Sequence, residues 1–162
     1  LIVGHAQGRV GALDGSITKL STDGSIVWSK QYGNPVGGEG IFSDLNQEND
    51  RFVFNECWGI DSTDDGGAVI ACGTGTHCDE FENNEKLFSQ CKTDPRETWR
   101  SLLLRVDRNG KLIWEKTDSF LEEGDDWVPN TAGEYVFFTK DGRLATVLDL
   151  DFGFGLQISE PE

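Results

Sequence analysis

The sequence predicts an all-β protein built from repeated antiparallel hairpins, with long loops and little helix. Ser16–Lys30 aligns with Leu102–Lys116, so that the glycine, the tryptophan and the final lysine of the two segments coincide. A second hairpin type, Ile60–Ala71, aligns with Val136–Val147 in the same way. Two segments that each recur at a constant spacing are the sequence signature of a repeat architecture.

Each repeated segment predicts two strands. Its arms alternate apolar and polar residues around a turn such as Asp65-Gly66 or Asn109-Gly110, and this is the strongest short-range signal for a hairpin. We name the arms of the Ile60–Ala71 type A and B, and those of the Ser16–Lys30 type C and D. The first residues, 1–4, resemble a B arm. The expected order is B, C, D, A, B, C, D, A, B, or about nine strands.

Three long connections interrupt the strands, at 31–56, 76–98 and 117–131. Connections of this length inside a compact domain are usually functional or make contacts, because most loops between strands are much shorter. We therefore expect these segments to carry ligand sites or to contact partners.

Composition narrows the possible functions. The chain has 162 residues, of which 36% are hydrophobic and 27% charged, and this suits one soluble domain with a real core. Its net charge of −15 opposes binding to phosphate backbones, so nucleic acid is not expected as a partner. No apolar stretch is long enough to span a bilayer, so we expect no membrane span.

The start of the chain predicts a processed or excised product, because the sequence begins with Leu1 and contains no methionine. Removal of a secretory signal would account for this start. The sequence contains no Asn-x-Ser or Asn-x-Thr motif, so ordinary N-glycosylation is not expected.

The cysteines indicate an oxidising compartment. Cys57, Cys72, Cys78 and Cys91 allow three pairings. Cys57 and Cys72 flank one hairpin turn and can be bridged across it, which would leave Cys78 and Cys91 to close a polar loop. A zinc site is the alternative, but no Cys-x-x-Cys pair occurs and His77 is the only nearby histidine. Disulfides, and hence an extracellular location, are the favoured interpretation.

The A-B-C-D order, with glycine turns and a closing tryptophan, resembles the blade of a β-propeller. In particular, Asp65–Ala71 and Leu104–Lys116 resemble secreted repeats with Asp-Gly-Gly followed by apolar residues, and then Lys-x-Asp-x-x-Gly-x-x-x-Trp-x-Lys. The resemblance implies one domain, 1–162, of tandem four-stranded antiparallel blade-like repeats. These would be a half-blade at 1–33, a blade at 57–118 with a cysteine loop inserted at 76–98, and a terminal half-blade at 133–158. A ring needs at least ~4 blades, so this propeller would be incomplete.

An open stack of blades leaves unpaired strand edges, which soluble proteins normally protect. Both ends of this chain are instead apolar and strand-like, and the candidate assembly residues are Leu1, Ile2, Val3, Phe152, Phe154, Leu156 and Ile158. We expect strand addition between copies, and head-to-tail addition that does not close produces a filament. A fragment of a longer propeller is the alternative interpretation.

A second resemblance favours a structural role over an enzymatic one. The segments 56–59, 71–75 and 91–96, followed by Trp99-Arg100, are similar to those of extracellular appendage proteins of protists, such as the flagellar hairs called mastigonemes. This resemblance implies a filament subunit.

Candidate chemistry is confined to binding. No Gly-x-Ser-x-Gly, phosphate loop or dinucleotide motif occurs, so we expect no enzyme. Calcium binds several carboxylate oxygens gathered by a loop. The best candidate ligands are Glu122, Glu123, Asp125 and Asp126, and smaller acidic groups occur at 61–65 and 149–151. The loop tryptophans Trp58, Trp99 and Trp127 are candidates for stacking on glycans. A carbohydrate- or calcium-binding segment of a longer secreted propeller is therefore the alternative function.

Overall fold

The computed structural model describes residues 1–7, 13–33, 53–76, 99–118 and 130–160, and these ranges form an all-β structure. They contain ten strands and no helix, and therefore no helix long and apolar enough to cross a membrane. The strands are β1 (Ile2–Gln7), β2 (Leu13–Leu20), β3 (Ile26–Tyr32), β4 (Val53–Ser62), β5 (Ala68–Thr76), β6 (Arg100–Val106), β7 (Leu112–Asp118), β8 (Thr131–Phe138), β9 (Leu144–Leu150) and β10 (Gly153–Ser159).

The strands form three antiparallel sheets. The first sheet has the order β1-β2-β3, the middle sheet β4-β5-β6-β7 and the third sheet β10-β9-β8. The all-β prediction is confirmed. The nine strands of the expected order are present, and the strand-like segment near the end of the chain forms a tenth, β10. Within the described ranges only the middle sheet has four strands, and the sheets do not close into a ring.

Four hairpin turns share one backbone geometry. In the turn before β3, the Gly24 N–H donates to the Ser21 carbonyl and the Ser21 N–H to the Ser25 carbonyl. The same pair of bonds recurs in the turns that contain the other three glycines. All four glycines have positive φ angles, and they are Gly24 (86°), Gly66 (82°), Gly110 (70°) and Gly142 (84°). Only glycine adopts this conformation without steric cost, which explains why the turn signal in the sequence was reliable.

The repeated hairpins also share their irregularities. The register of β2 with β3 shifts between Lys19 and Leu20, and that of β6 with β7 shifts at the aligned pair Arg105 and Val106. The other hairpin type shifts just after Cys57 and again just after Gly133, which are aligned in the sequence. A β-bulge increases strand twist, so the paired hairpins twist alike.

The middle sheet is buried on both faces. Successive side chains of a strand point to opposite faces, and β5 follows this rule: Ile70 and Cys72 belong to one core cluster, Val69 and Ala71 to the other. The first cluster includes Ile17 of the first sheet, whereas the second includes residues of β8 and β9. The first and third sheets therefore cover opposite faces of the middle sheet.

Close approach of the middle and third sheets depends on Gly59. A Cβ atom at this position would lie 2.6 Å from the Cα of Tyr135, which real Cβ atoms do not tolerate. The backbones of β4 and β8 therefore touch, and any larger residue at position 59 would push the third sheet away.

Candidate assembly surface

The third sheet has two different faces, and the strand register assigns each side chain to one of them. Val136 and Leu144 point towards the middle sheet as part of its second core cluster. On the opposite face Tyr135 lies opposite Val147, which lies opposite Leu156 on β10. Phe137, Ala145 and Ile158 form the next row of that face.

The outward face of the third sheet is apolar and exposed. We call it the apolar face and define it by five side chains with their exposed fractions: Tyr135 (56%), Phe137 (38%), Phe154 (85%), Leu156 (64%) and Ile158 (42%). The rings of Tyr135 and Phe137 lie 6.3 Å apart, so the surface is continuous along β8. Phe152, in the turn before β10, is 85% exposed beside it.

The apolar face has one acidic end. Asp149 lies opposite Phe154, which places the carboxylate on the same face, and Asp151 follows in the turn. Burial, together with the charges of Asp149 and Glu56, raises the pKa of Glu134 in the neighbouring bulge. At the other end of the strands Arg143 pairs with Asp141 at 2.8 Å, so that end has nearly balanced charge.

The outward face of the first sheet is mixed by contrast: its central rows are polar, and Val27, two residues before Ser29 on the same face, is 56% exposed. The Thr18 and Ser29 hydroxyls share a hydrogen bond of 2.8 Å, and Ser16 lies opposite Gln31 in the adjacent row. Ile2 lies on this face and is 56% exposed.

The candidate assembly residues at the N-terminus therefore divide into two groups. Leu1 and Ile2 are exposed, whereas Val3 packs against the core cluster between the first and middle sheets. Val3 thus contributes, as a partly buried side chain, to the packing of the first sheet on the middle sheet. Each terminal strand is already paired on one side, β1 with β2 and β10 with β9, and each keeps one edge outside its sheet.

The first sheet is held on the middle sheet by polar anchors. The Trp28 Nε1–H donates to the Arg108 carbonyl at 3.0 Å. The Lys30 ammonium donates a hydrogen bond to the Asn109 carbonyl at 2.9 Å, and the Tyr32 hydroxyl donates one to the Gly110 carbonyl at 2.6 Å. Burial, reinforced by the charge of Asp107, raises the pKa of Tyr32 to about 12. These side chains bind the carbonyls of one turn and so position the first sheet.

The disulfide between Cys57 and Cys72 is present in the middle sheet. The two residues lie directly opposite each other on β4 and β5, as the symmetric placement around the turn predicted. A Cβ at Gly15 would lie 2.4 Å from the Cys57 sulfur, so the bridge packs directly beneath the first sheet. Cys78 and Cys91 lie outside the described residues, as does His77.

A cleft of about 440 Å³ opens beside the acidic end of the apolar face and includes Trp99, Asp149 and Asp151 in its lining. The Trp99 ring lies over Gly73, where a Cβ would be 2.8 Å from it. The Asn130 side chain accepts a hydrogen bond from the Trp99 N–H and donates one to Asp151. Of the three tryptophans proposed to contact glycans, Trp58 does not line this cleft and Trp127 lies outside the described residues.

The acidic groups do not form a metal site in the described part of the chain, where no three His, Cys, Asp or Glu side chains converge. Asp61 instead accepts hydrogen bonds from the backbone N–H groups of Ser62 and Phe138, and Asp65 pairs with Arg105 at 2.7 Å. The best calcium candidates, Glu122, Glu123, Asp125 and Asp126, lie outside the described residues.

The sequence interpretation did not identify Tyr135 and Phe137 as exposed members of an apolar sheet surface. The signal that would have found them is the continuous apolar run 135–138, because a strand that is apolar on both faces is typical of a sheet covered on both sides. Neither a protein-family model nor a curated protein matches this sequence.

Proposed function

We propose that this chain is a non-enzymatic, extracellular structural subunit that assembles with copies of itself. Strand β10 of one copy pairs with β1 of the next, and because this addition does not close, it produces a filament or surface appendage. The two strands belong to the outer sheets on opposite sides of the middle sheet, so the two binding edges are directed to different neighbours.

One observation carries this proposal: the charge of the edge strands. The three described sheets have six edge strands, and four of these carry Asp, Glu, Lys or Arg, which protect an edge against further pairing. Strands β1 and β10 carry none of these residues and no proline. The two unprotected edges are therefore the two that a head-to-tail contact requires.

Two further interpretations belong to this proposal. The sheets are blade-like repeats of an incomplete propeller, and the repeated turns and bulges support this. The buried Cys57–Cys72 disulfide supports an oxidising, extracellular environment.

Electron microscopy and sedimentation velocity on the purified chain test the proposal. We expect filaments or a ladder of oligomers, and we expect Ile2→Lys combined with Gly4→Lys to abolish them. Both positions tolerate lysine, because Ile2 is exposed and a Cβ at Gly4 would meet no atom within 4 Å. The control is Ile26→Lys with Val27→Lys on β3, which adds the same charge at two exposed positions of an edge that already carries a lysine.

Discrete monomers at all concentrations, or oligomers unaffected by the β1 substitutions, would contradict edge pairing. Deleting 152–158 is a poor test, because β10 pairs with β9 along its whole length and its loss would expose that strand.

A carbohydrate-binding segment is the second candidate function, and the Trp99 cleft favours it. An indole beside carboxylate and amide groups is a common arrangement for stacking on a sugar and binding its hydroxyls. Titration with a panel of neutral oligosaccharides, followed by tryptophan fluorescence, tests this candidate. We expect Asp149→Ala to weaken binding and Asp64→Ala, an exposed carboxylate that does not line this cleft, to leave it unchanged. No binding by the unmodified chain would exclude it.

A further inference from the structure

The outward face of the third sheet has the composition of an interior surface. Leu156 occupies the position in its sheet that Leu103 occupies in the middle sheet, because each lies opposite aligned residues, Val147 and Ala71. Leu103 is 2% exposed, since the third sheet covers it, whereas Leu156 is 64% exposed. The same register position is therefore buried in the middle sheet and exposed to solvent in the third sheet.

The exposed area is large enough for a stable interface. At roughly 150–250 Å² for a fully exposed aromatic side chain, the five members of the apolar face present on the order of 600 Å². A typical monomer has its largest apolar patch at or below about this size. With Phe152 and the surrounding polar rim, the area approaches the ~800 Å² that each partner buries in a standard protein interface.

The side chains on the two outer faces indicate which surface of another copy binds the apolar face. If the first sheet of another copy lay on the apolar face, the Ser16, Thr18 and Gln31 side chains would lose water without gaining hydrogen-bond partners, which is costly. Among the outer sheet surfaces of the described residues, the apolar face of a second copy is the one that can cover the apolar face with apolar side chains of its own. We propose that two copies bind through their apolar faces, related by a two-fold axis.

Charge selects the orientation of this pair. If the strands of the two copies ran parallel, Asp149 and Asp151 of one copy would lie over those of the other, and like charges repel. With the strands antiparallel, each acidic end lies over the end where Asp141 and Glu160 balance Lys140 and Arg143, so this repulsion is avoided. The two-fold axis therefore runs across the strands.

This contact does not depend on the edge pairing proposed above. Side chains point out of a sheet, whereas backbone hydrogen bonds lie within its plane, so the apolar face and the β1 and β10 edges are separate surfaces. A dimer that forms through the apolar faces therefore leaves the β1 and β10 edges available for strand pairing.

Light scattering and sedimentation equilibrium over a concentration series test the inference, using the chain with Ile2→Lys and Gly4→Lys so that edge pairing is blocked. We expect a monomer–dimer equilibrium. Phe154→Gln with Leu156→Gln should raise its dissociation constant by roughly 100-fold, because exposed apolar anchors carry most of the binding energy. Thermal melting should show that the fold is retained, since both side chains are exposed.

The matched control is Ile26→Gln with Val27→Gln, two side chains of the first sheet that are 67% and 56% exposed, and it should leave the dimer unchanged. A monomer throughout the series, or a dimer unaffected by the Phe154 and Leu156 substitutions, would overturn the inference. The edge proposal would survive both results, because it is tested with β1 intact.

Cross-linking tests the orientation. Chains carrying Asp149→Cys are mixed with chains carrying Lys140→Cys and treated with a short thiol cross-linker. Antiparallel packing predicts cross-links between the unlike chains. Cross-links only between chains with the same substitution would overturn the proposed axis.

Discussion

The first and third sheets are two meanders with the same turn chemistry, and they differ in how each face is used. The first sheet binds the middle sheet partly through polar anchors, as Trp28 and Tyr32 show, and its outward face is polar in its central rows. The third sheet binds through an apolar cluster and through hydrogen bonds such as that from the Ser101 N–H to the Thr131 hydroxyl, and its outward face is mainly apolar. The two outer sheets therefore differ most in their outward faces, which mix polar and apolar side chains in the first sheet and are mainly apolar in the third.

The largest expected effect comes from the cluster that holds the third sheet. Leu144→Ala removes a buried side chain between the middle and third sheets, and we expect a loss of about 2–5 kcal/mol in the free energy of unfolding. The control is Leu156→Ala on the outward face of the same sheet. Denaturant unfolding of the non-associating chain should show little change for it, and equal losses would mean that the outward face is covered within the monomer.

The disulfide should matter next. Replacing both Cys57 and Cys72 by Ala is expected to cost about 2–5 kcal/mol, the usual effect of losing a native bridge. Since the bridge packs against Gly15, amide exchange should accelerate in β2 more than in β9. Equal acceleration in the two strands would show that the bridge stabilises both outer sheets alike.

The polar anchors of the first sheet should give a smaller effect. Tyr32→Phe removes the hydroxyl that donates to the Gly110 carbonyl, and we expect a loss of about 1 kcal/mol. Tyr135→Phe, at an exposed tyrosine of the third sheet, is the matched control and should be neutral. Thermal melts measure the change. A neutral Tyr32→Phe would mean that this hydrogen bond does not help to hold the first sheet.

Acid should weaken both sheets slightly and alike. The Ser21 hydroxyl and Ser25 backbone lower the pKa of Asp23 to about 2, and the Thr139 hydroxyl and Arg143 do the same for Asp141. An unfolded aspartate has a pKa of about 3.9, so this stabilisation is present above about pH 4 and is lost as the pH falls through about 2. Thermal melts between these pH values should show the loss.

For this acid effect, Asp23→Asn and Asp141→Asn provide the comparison. Each substitution should remove the contribution of its own turn and flatten the pH dependence by a similar amount. A change confined to one of the two variants would show that the turns, despite their shared geometry, are not equivalent.

The local structure was predictable because its causes are local. A turn that needs positive φ requires glycine, so Gly66 and Gly142 marked their hairpins directly. Cys57 and Cys72 could be paired because a hairpin places residues equidistant from its turn opposite each other. The all-β class followed from these hairpins together with the alternation of their arms.

The surface was only partly predictable, because alternation divides a strand into two faces without saying which is covered. Val3 was grouped with Leu1 and Ile2, yet it points to the core. The exposure of Tyr135 and Phe137 was not predicted, since the apolar run 135–138 indicates two apolar faces without saying which of them another sheet covers.

The sequence by itself determined the hairpins, their turns and the apolar character of β10, and it favoured the disulfide across β4 and β5. These depend on backbone conformation and on neighbours within one hairpin. Only the tertiary structure decided that the middle sheet is covered on both faces and that the apolar face is left exposed. That outcome depends on which faces of separate sheets meet, and contacts between sheets are set by packing of distant residues that no local pattern encodes.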